Sequence, residues 1–252
     1  MSEFLRMENI TKRFGKVYAN KDINLSVRRG EVHTLLGENG AGKSTLMNIL
    51  SGLYQPTSGQ IYLEGKKVEI SSPRVAVKMG IGMVHQHFML VEAMTVFENI
   101  ILGVSKDRSL FIKEDQLKKE IQELADNYGL EVELDKLITD ISVGAQQRVE
   151  ILKALFRGAE LLILDEPTAA LDPIAESEIY QKYNEMTKGK SSVYISHRLA
   201  STRFCDRIIL IESSAILEEG THQQLMEQEG RYAELFAVQS KYYEKGEEGN
   251  EG

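Results

Sequence analysis

Gly37-Glu38-Asn39-Gly40-Ala41-Gly42-Lys43-Ser44-Thr45 lies between an apolar run, Val32-His33-Thr34-Leu35-Leu36, and a segment of helical character, Thr45-Leu46-Met47-Asn48-Ile49-Leu50. The pattern G-x-x-x-x-G-K-[ST], set between a strand and a helix, is that of a phosphate-binding loop. Glycines let the backbone turn so tightly that successive N–H groups converge on phosphate oxygens, and the helix N-terminus adds partial positive charge. Gly37, Asn39, Gly40, Ala41, Gly42, Lys43, Ser44 and Thr45 are therefore the expected nucleotide contacts. Lys43 is expected to reach the β- and γ-phosphates, and Ser44 to offer its hydroxyl to Mg²⁺. A Gly-rich turn would match by chance on the order of once in a hundred chains of this length.

Downstream, Leu161-Leu162-Ile163-Leu164 is an uninterrupted apolar run ending in Asp165-Glu166-Pro167-Thr168. Such a run reads as a strand buried on both faces of a parallel sheet. Open parallel sheets bind ligands at the carboxyl ends of their strands. Asp165 is thus expected to hold Mg²⁺ through water, and Glu166 to polarise the water that attacks the γ-phosphate. The competing reading, a solvated acidic turn, loses weight because the lysine of a phosphate site accompanies the carboxylates.

Between these motifs stands Asp140-Ile141-Ser142-Val143-Gly144-Ala145-Gln146-Gln147-Arg148-Val149-Glu150. It resembles the L-S-G-G-Q-x-Q-R signature of ATP-binding cassette (ABC) ATPases, keeping Ser142, Gly144, Gln146 and Arg148 and replacing the middle glycine by Val143. From the residues alone, Ser142 is a good N-cap for a helix with apolar Val149, Ile151, Leu152 and Leu155, and a capped core helix would look the same.

The resemblance runs over nearly the whole chain, with its motifs in the order such cassettes use. It implies that Phe14 stacks on adenine, an exposed role that competes with closure of a small β-subdomain. It further implies that Gln86 touches Mg²⁺ and links the nucleotide to a membrane partner, that Asp172 is the D-loop aspartate, and that His197 is the switch histidine at the γ-phosphate. The implied fold is α/β: a P-loop NTPase (RecA-like) core with an N-terminal antiparallel β-subdomain and an inserted α-helical subdomain. The cassette would span residues 1–222, with its core at 1–86 and 157–222 and its helical subdomain at 87–156. Helices at 223–243 and a disordered acidic tail at 244–252 would follow.

With 252 residues the chain is long enough for one α/β unit, and a net charge of −8 excludes a broad basic footprint for nucleic acid. The single Cys205 cannot make an internal disulfide and reads as a small buried residue in a reducing compartment. No stretch reaches the eighteen or so apolar residues of a membrane span. The expected location is the cytoplasm, peripheral on the inner face of the cell membrane through a protein partner.

Family resemblance implies two copies packed head to tail, Ser142 and Gly144 of one facing the γ-phosphate held by Lys43 of the other. Expected partners are a second ATPase subunit and a multi-span permease, the latter near apolar Phe88, Met89, Leu90, Met94 and Val96. About half of these five are equally suited to a lobe core. Soluble cassette ATPases and a regulatory module without turnover are the rival readings; the first usually carry fused cassettes or long insertions, and the second is disfavoured by Glu166 and His197. Residues up to about 165 resemble cassettes for nucleoside or simple-sugar uptake, whereas the remainder resembles exporter nucleotide-binding domains, as in a recombined chain. Ser213-Ser214 stands at a hairpin turn where glycine is expected.

Overall fold

The apolar runs flanking the phosphate loop become the centre of a six-stranded sheet in a computed structural model, which describes residues 2–86, 88–104, 113–165, 189–197, 199, 202 and 205–238. Its order is β10-β9-β3-β8-β7-β6, built from β3 (Val32–Leu36), β6 (Ile81–Val84), β7 (Leu161–Asp165), β8 (Ser191–Ser196), β9 (Arg207–Glu212) and β10 (Ala215–Gly220). All neighbours run parallel except β10, which returns antiparallel along β9. Every residue of β3 and β8 is buried, as are the first four of β7. That double-sided cover is why these strands read as continuous apolar runs rather than as alternating ones.

Period-two alternation then sorts side chains between two cores. Leu35, Ile163, Val193 and Ile195 pack towards Leu46, Met47 and Leu50 of α1 (Lys43–Leu50), together with Leu5, Met7 and Ile10. Val32, Leu162, Leu164 and Tyr194 face the other way, onto Val149, Ile151, Leu152 and Leu155 of the long helix Val143–Phe156. The N-terminal residues form a separate antiparallel sheet of order β2-β1-β4-β5, from β1 (Glu3–Phe14), β2 (Val17–Arg28), β4 (Ser58–Leu63) and β5 (Lys66–Val68). Helix α2 (Pro73–Lys78) leads from this sheet into β6.

A helical lobe is inserted between β6 and β7. It contains α3 (Val96–Ile101), α4 (Glu114–Asn127) and α5 (Val143–Phe156). Helix α3 starts at a full capping box, Thr95 and Glu98 each satisfying the other's backbone N–H. In α4 the buried residues are Leu117, Ile121 and Ala125, one per turn on a single face, and the charged remainder is solvated. This charged stretch of the lobe is therefore an amphipathic helix.

Beyond β10 the chain forms α6 (His222–Glu227), one residue earlier than the pattern indicates because Thr221 caps it, and a further helix at 231–238. Residues 239–252, where the acidic tail is expected, lie outside the described residues. At the β9–β10 turn Ser213 and Ser214 both adopt positive φ, 51° and 68°, the conformation that favours glycine. The strain is offset locally, since the Ser214 carbonyl accepts from the Lys21 N–H at 2.8 Å and its hydroxyl donates to the Tyr18 carbonyl at 2.7 Å. Cys205 is partly rather than fully buried, and its apolar surroundings push the thiol up to about 11, so it is protonated and unreactive at neutral pH.

His33 on β3 is wholly buried, and desolvation holds its imidazole below the ordinary range despite the Glu31 carboxylate at 3.0 Å. An unfolded His33 takes up a proton as pH falls through about 6.5, whereas the folded one resists, so acidification in that range favours the unfolded chain. The melting temperature is expected to fall between pH 7.5 and pH 5.5, and His33→Gln should flatten that slope. An unchanged slope in the variant would show that His33 does not carry the linkage.

Candidate functional site

Parallel pairing brings the expected residues to one edge of the central sheet. Leu36 of β3 pairs with Ser196 of β8, Asp165 of β7 with Ile195, and Val84 of β6 with Leu164. Gly37 and His197 are the next residues after β3 and β8, Asp165 ends β7, and Gln86 stands two residues past β6. Four residues scattered over more than half the sequence therefore stand along the edge where an open parallel sheet binds its ligand.

The loop after β3 is shaped by glycine at two points in particular. Gly37 has φ 154°, and a Cβ there would collide with the Ile211 carbonyl; Gly42 has φ 107°, and a Cβ there would collide with the Ala19 carbonyl. Gly42 is also the N-cap of α1 and supplies no side-chain cap, so the positive end of that helix opens onto the loop. Lys43 is 4% exposed, and its ammonium donates to the carbonyls of Gly37 at 2.7 Å and Glu38 at 3.0 Å. The cation is thus held folded back along its own loop. Asn39, Gly40 and Ser44 are exposed at the loop, with Ala41 and Thr45 half-buried.

Asn20, which sequence reasoning passed over, supports this loop. It is fully buried on β2, and its amide donates to the Gly42 carbonyl at 3.0 Å while its Oδ1 has no partner. Nothing in its neighbourhood in the chain announces this, because the contact joins β2 to the start of α1.

Phe14 is 45% exposed and meets Tyr54 edge-on with ring centroids 5.4 Å apart. Lys12 places its ammonium 5.0 Å from the Phe14 ring and donates to the Gln55 carbonyl at 2.7 Å. That exposure leaves the ring accessible to a planar ligand, which a residue closing a β-subdomain would not be.

Ser142 caps α5, its hydroxyl accepting from the Ala145 N–H at 3.3 Å. Gly144 is exposed with open space around its Cα, and Val143, in place of the resemblance's glycine, is 63% exposed on the first turn. Gln146 turns back instead to donate to the carbonyls of Ile138 at 3.2 Å and Ile141 at 3.3 Å, bracing the turn before the helix. Gln86 and Gln146 line one cleft together with Phe88 and Leu90. Glu166 and Asp172 lie outside the described residues.

Past Gln86, the backbone at Met89 and Val91 is held from the helical lobe while these two side chains stay exposed. Glu150 and Lys153 of α5, 4% and 9% exposed, form an ion pair at 3.1 Å. Glu150 accepts from the Met89 N–H at 2.9 Å and Lys153 donates to the Met89 carbonyl at 3.1 Å. Two residues on, the buried Asn99 amide accepts from the Val91 N–H at 2.7 Å and donates to its carbonyl at 3.1 Å. Met89 and Val91 remain exposed, Phe88, Leu90 and Met94 are half-buried, and Val96 is core.

His197 is exposed and shares a cleft with Leu36, Gly37, Glu38, Asn39, Leu199 and Leu235. Among the described residues there is no cluster of three or more His, Cys, Asp or Glu side chains suited to a metal. The oxygen donors at the edge, the Ser44 hydroxyl, Asp165 carboxylate and Gln86 amide, suit a hard cation that keeps several waters and binds with phosphate, as Mg²⁺ does. No described helix is long and apolar enough to cross a membrane.

Comparison with known proteins agrees with this geometry. A family model described as ABC transporter matches residues 20–169. The nucleoside import ATP-binding protein NupA of Lactococcus lactis is 51% identical over 88% of this chain and 46% of its own length. The guanosine import ATP-binding protein NupO of Bacillus subtilis is 51% identical over 84% and 42%. This chain therefore spans less than half the length of these relatives, and both alignments necessarily extend well past residue 165. Among solved structures, cbiO1 from Clostridium perfringens, part of the complex cbiONQ, superposes with a TM-score of 0.79 at 29% identity, covering 91% of this chain and 92% of that one. An Atm1-family exporter with ATP bound shares the fold, with a TM-score of 0.75 at 23% identity over 95% of this chain and 42% of its own.

Proposed function

The chain belongs to the ABC transporter family, and on that premise we propose that it is the ATP-binding and ATP-hydrolysing subunit of a membrane transporter, with nucleosides or simple sugars taken up as its cargo. The observation that carries this is the convergence of the phosphate loop, Asp165, Gln86 and His197 on one sheet edge. In this reading residues 1–86 and 157–222 form the ATP core and 87–156 the helical lobe.

Phe14 offers its ring to the adenine, and the α1 N-terminus with the backbone of residues 37–45 receives the phosphates. Lys43 turns from its loop carbonyls to the β- and γ-phosphates and stabilises the charge spread over the transferring group. Mg²⁺, when bound, neutralises phosphate charge, with Ser44, Asp165 and Gln86 as its holders on this chain. Glu166 orients the attacking water and takes its proton, and His197 donates to the γ-phosphate oxygens.

Ser142 and Gly144 stand exposed at the N-terminal end of α5 on the helical lobe. Two copies arranged head to tail bring this capped helix terminus to the partner's γ-phosphate, so that ATP closes the dimer and hydrolysis opens it. The segment through Met89 and Val91, with its backbone clamped and its apolar side chains outward, supports docking of a multi-span permease at the cytoplasmic membrane face. The nucleoside and guanosine import relatives support uptake as the direction; the exporter-like motifs after residue 165 favour export as the second reading.

The test of the composite site is a mixing experiment. Lys43→Ala and Ser142→Arg chains are each expected to be inactive alone, the second because bulk and charge block the partner's γ-phosphate. Mixed, they form heterodimers with one intact site, and activity should return to at most half of the parent rate. Parent-level hydrolysis by Ser142→Arg alone would place the whole site within one chain.

A further inference from the structure

The segment after β10 reaches back to the cleft that holds His197, and it does so through a directional chain of hydrogen bonds. Tyr232 is wholly buried. Its hydroxyl donates to Thr202 Oγ1 at 3.0 Å, and Thr202 donates to the Leu199 carbonyl at 2.6 Å. With its proton committed to Thr202, the Tyr232 oxygen accepts from Nδ1 of His222 at 2.7 Å, which fixes that imidazole with a proton on Nδ1. The series ends on the Leu199 carbonyl, two residues from His197.

The same segment is fastened at its start. The Glu218 carboxylate accepts from the backbone N–H groups of Arg231 at 2.6 Å and Tyr232 at 3.0 Å, which caps the helix at 231–238. Leu36 of β3 packs in one cluster with Leu199, Leu225 and Tyr232. The Arg231 guanidinium bridges to Glu212 at 3.3 Å and approaches Glu38 of the phosphate loop at 3.8 Å. Leu235 completes the wall of the cleft between His197 and Gly37, Glu38 and Asn39.

We propose that Tyr232 is a positioning residue for phosphoryl transfer: through Thr202 and Leu199 it fixes the backbone that presents His197 to the phosphate loop. This rests on the reading of His197 as the γ-phosphate contact. Tyr232 is buried beneath the cleft and bonds Thr202 and His222, so its contribution lies in where the imidazole stands and not in binding. A catalytic group held loosely loses rate through misplacement, while the phosphate cradle keeps its affinity.

Tyr232→Phe removes one hydroxyl and keeps the buried ring. Its kcat is expected to fall roughly ten-fold with KM for ATP and nucleotide affinity unchanged, the order of one lost hydrogen bond at a positioning group. Thr202→Val should do the same, and the double variant should be no worse than either single one, because both break one chain. Independently of turnover, the His197 ring resonances in the ¹H–¹⁵N spectrum of nucleotide-free protein should shift and broaden in Tyr232→Phe. Unchanged His197 resonances overturn the proposal, as does a parent-level kcat in an active parent background. If the parent hydrolyses no ATP, the ATPase reading fails by itself, and the resonances still decide the positioning role.

Discussion

Replacing Lys43 by alanine is expected to lower ATP turnover by roughly 10²–10³-fold, the range for loss of one preorganised charge at a developing oxyanion. Two effects combine at this residue. The ammonium that would spread along the β- and γ-phosphates is removed, and the loop loses its internal brace, since Lys43 ties the carbonyls of Gly37 and Glu38 together. Nucleotide affinity should therefore fall along with kcat. Steady-state phosphate release and equilibrium binding of a fluorescent ATP analogue separate the two quantities. Turnover within two-fold of the parent would mean that the loop is a structural turn. The folded state should be little affected, because α1 keeps its buried Leu46, Met47, Ile49 and Leu50.

What the chain reveals without coordinates follows from how local each device is. The phosphate loop, its flanking strand and β7 are legible because contiguous residues carry both the pattern and the chemistry. Helix α5 is legible for the same reason, its Ser142 cap standing directly before an apolar-periodic run. The supports are not. Asn20 of β2 acts on Gly42 at the start of α1, and the Glu150–Lys153 pair acts on Met89 from a helix that lies far along the chain. An i,i+3 pair of opposite charge on a helix ordinarily reads as a solvated surface pair, and only packing shows this one to be buried.

The same locality explains why the sequence leaves open which apolar residues after Gln86 are core and which are surface. Composition marks Phe88, Met89, Leu90, Met94 and Val96 alike, but their exposure is decided by which backbone groups Glu150, Lys153 and Asn99 hold. Val96 turns inward as the first residue of α3, and Met89 turns outward from its clamp. Divergent resemblance of the two halves also has limited structural reach. Strand β3 from the first half lies between β8 and β9 from the second, and Leu36 shares a buried cluster with Leu225 and Tyr232. Interleaving of that kind requires mutual fit across the proposed junction.

Glu166→Gln tests the chemistry from the opposite side. Glutamine keeps the size of the side chain and its capacity to hydrogen-bond water, but it cannot take the proton that the attacking water must lose. Turnover should fall by roughly 10²–10⁴-fold, the range ascribed to a positioned general base. Binding should survive, because the backbone cradle, Lys43 and the adenine platform at Phe14 are untouched. An ATP that binds normally and is not cleaved leaves the dimer closed, since the phosphates bridging Lys43 of one copy and Ser142 of the other persist. Light scattering on a size-exclusion column, run on Glu166→Gln with Mg²⁺ and ATP, reads this out directly: a dimer carrying uncleaved ATP is expected, whereas a monomer that turns over ATP at the parent rate would show that Glu166 is not the base.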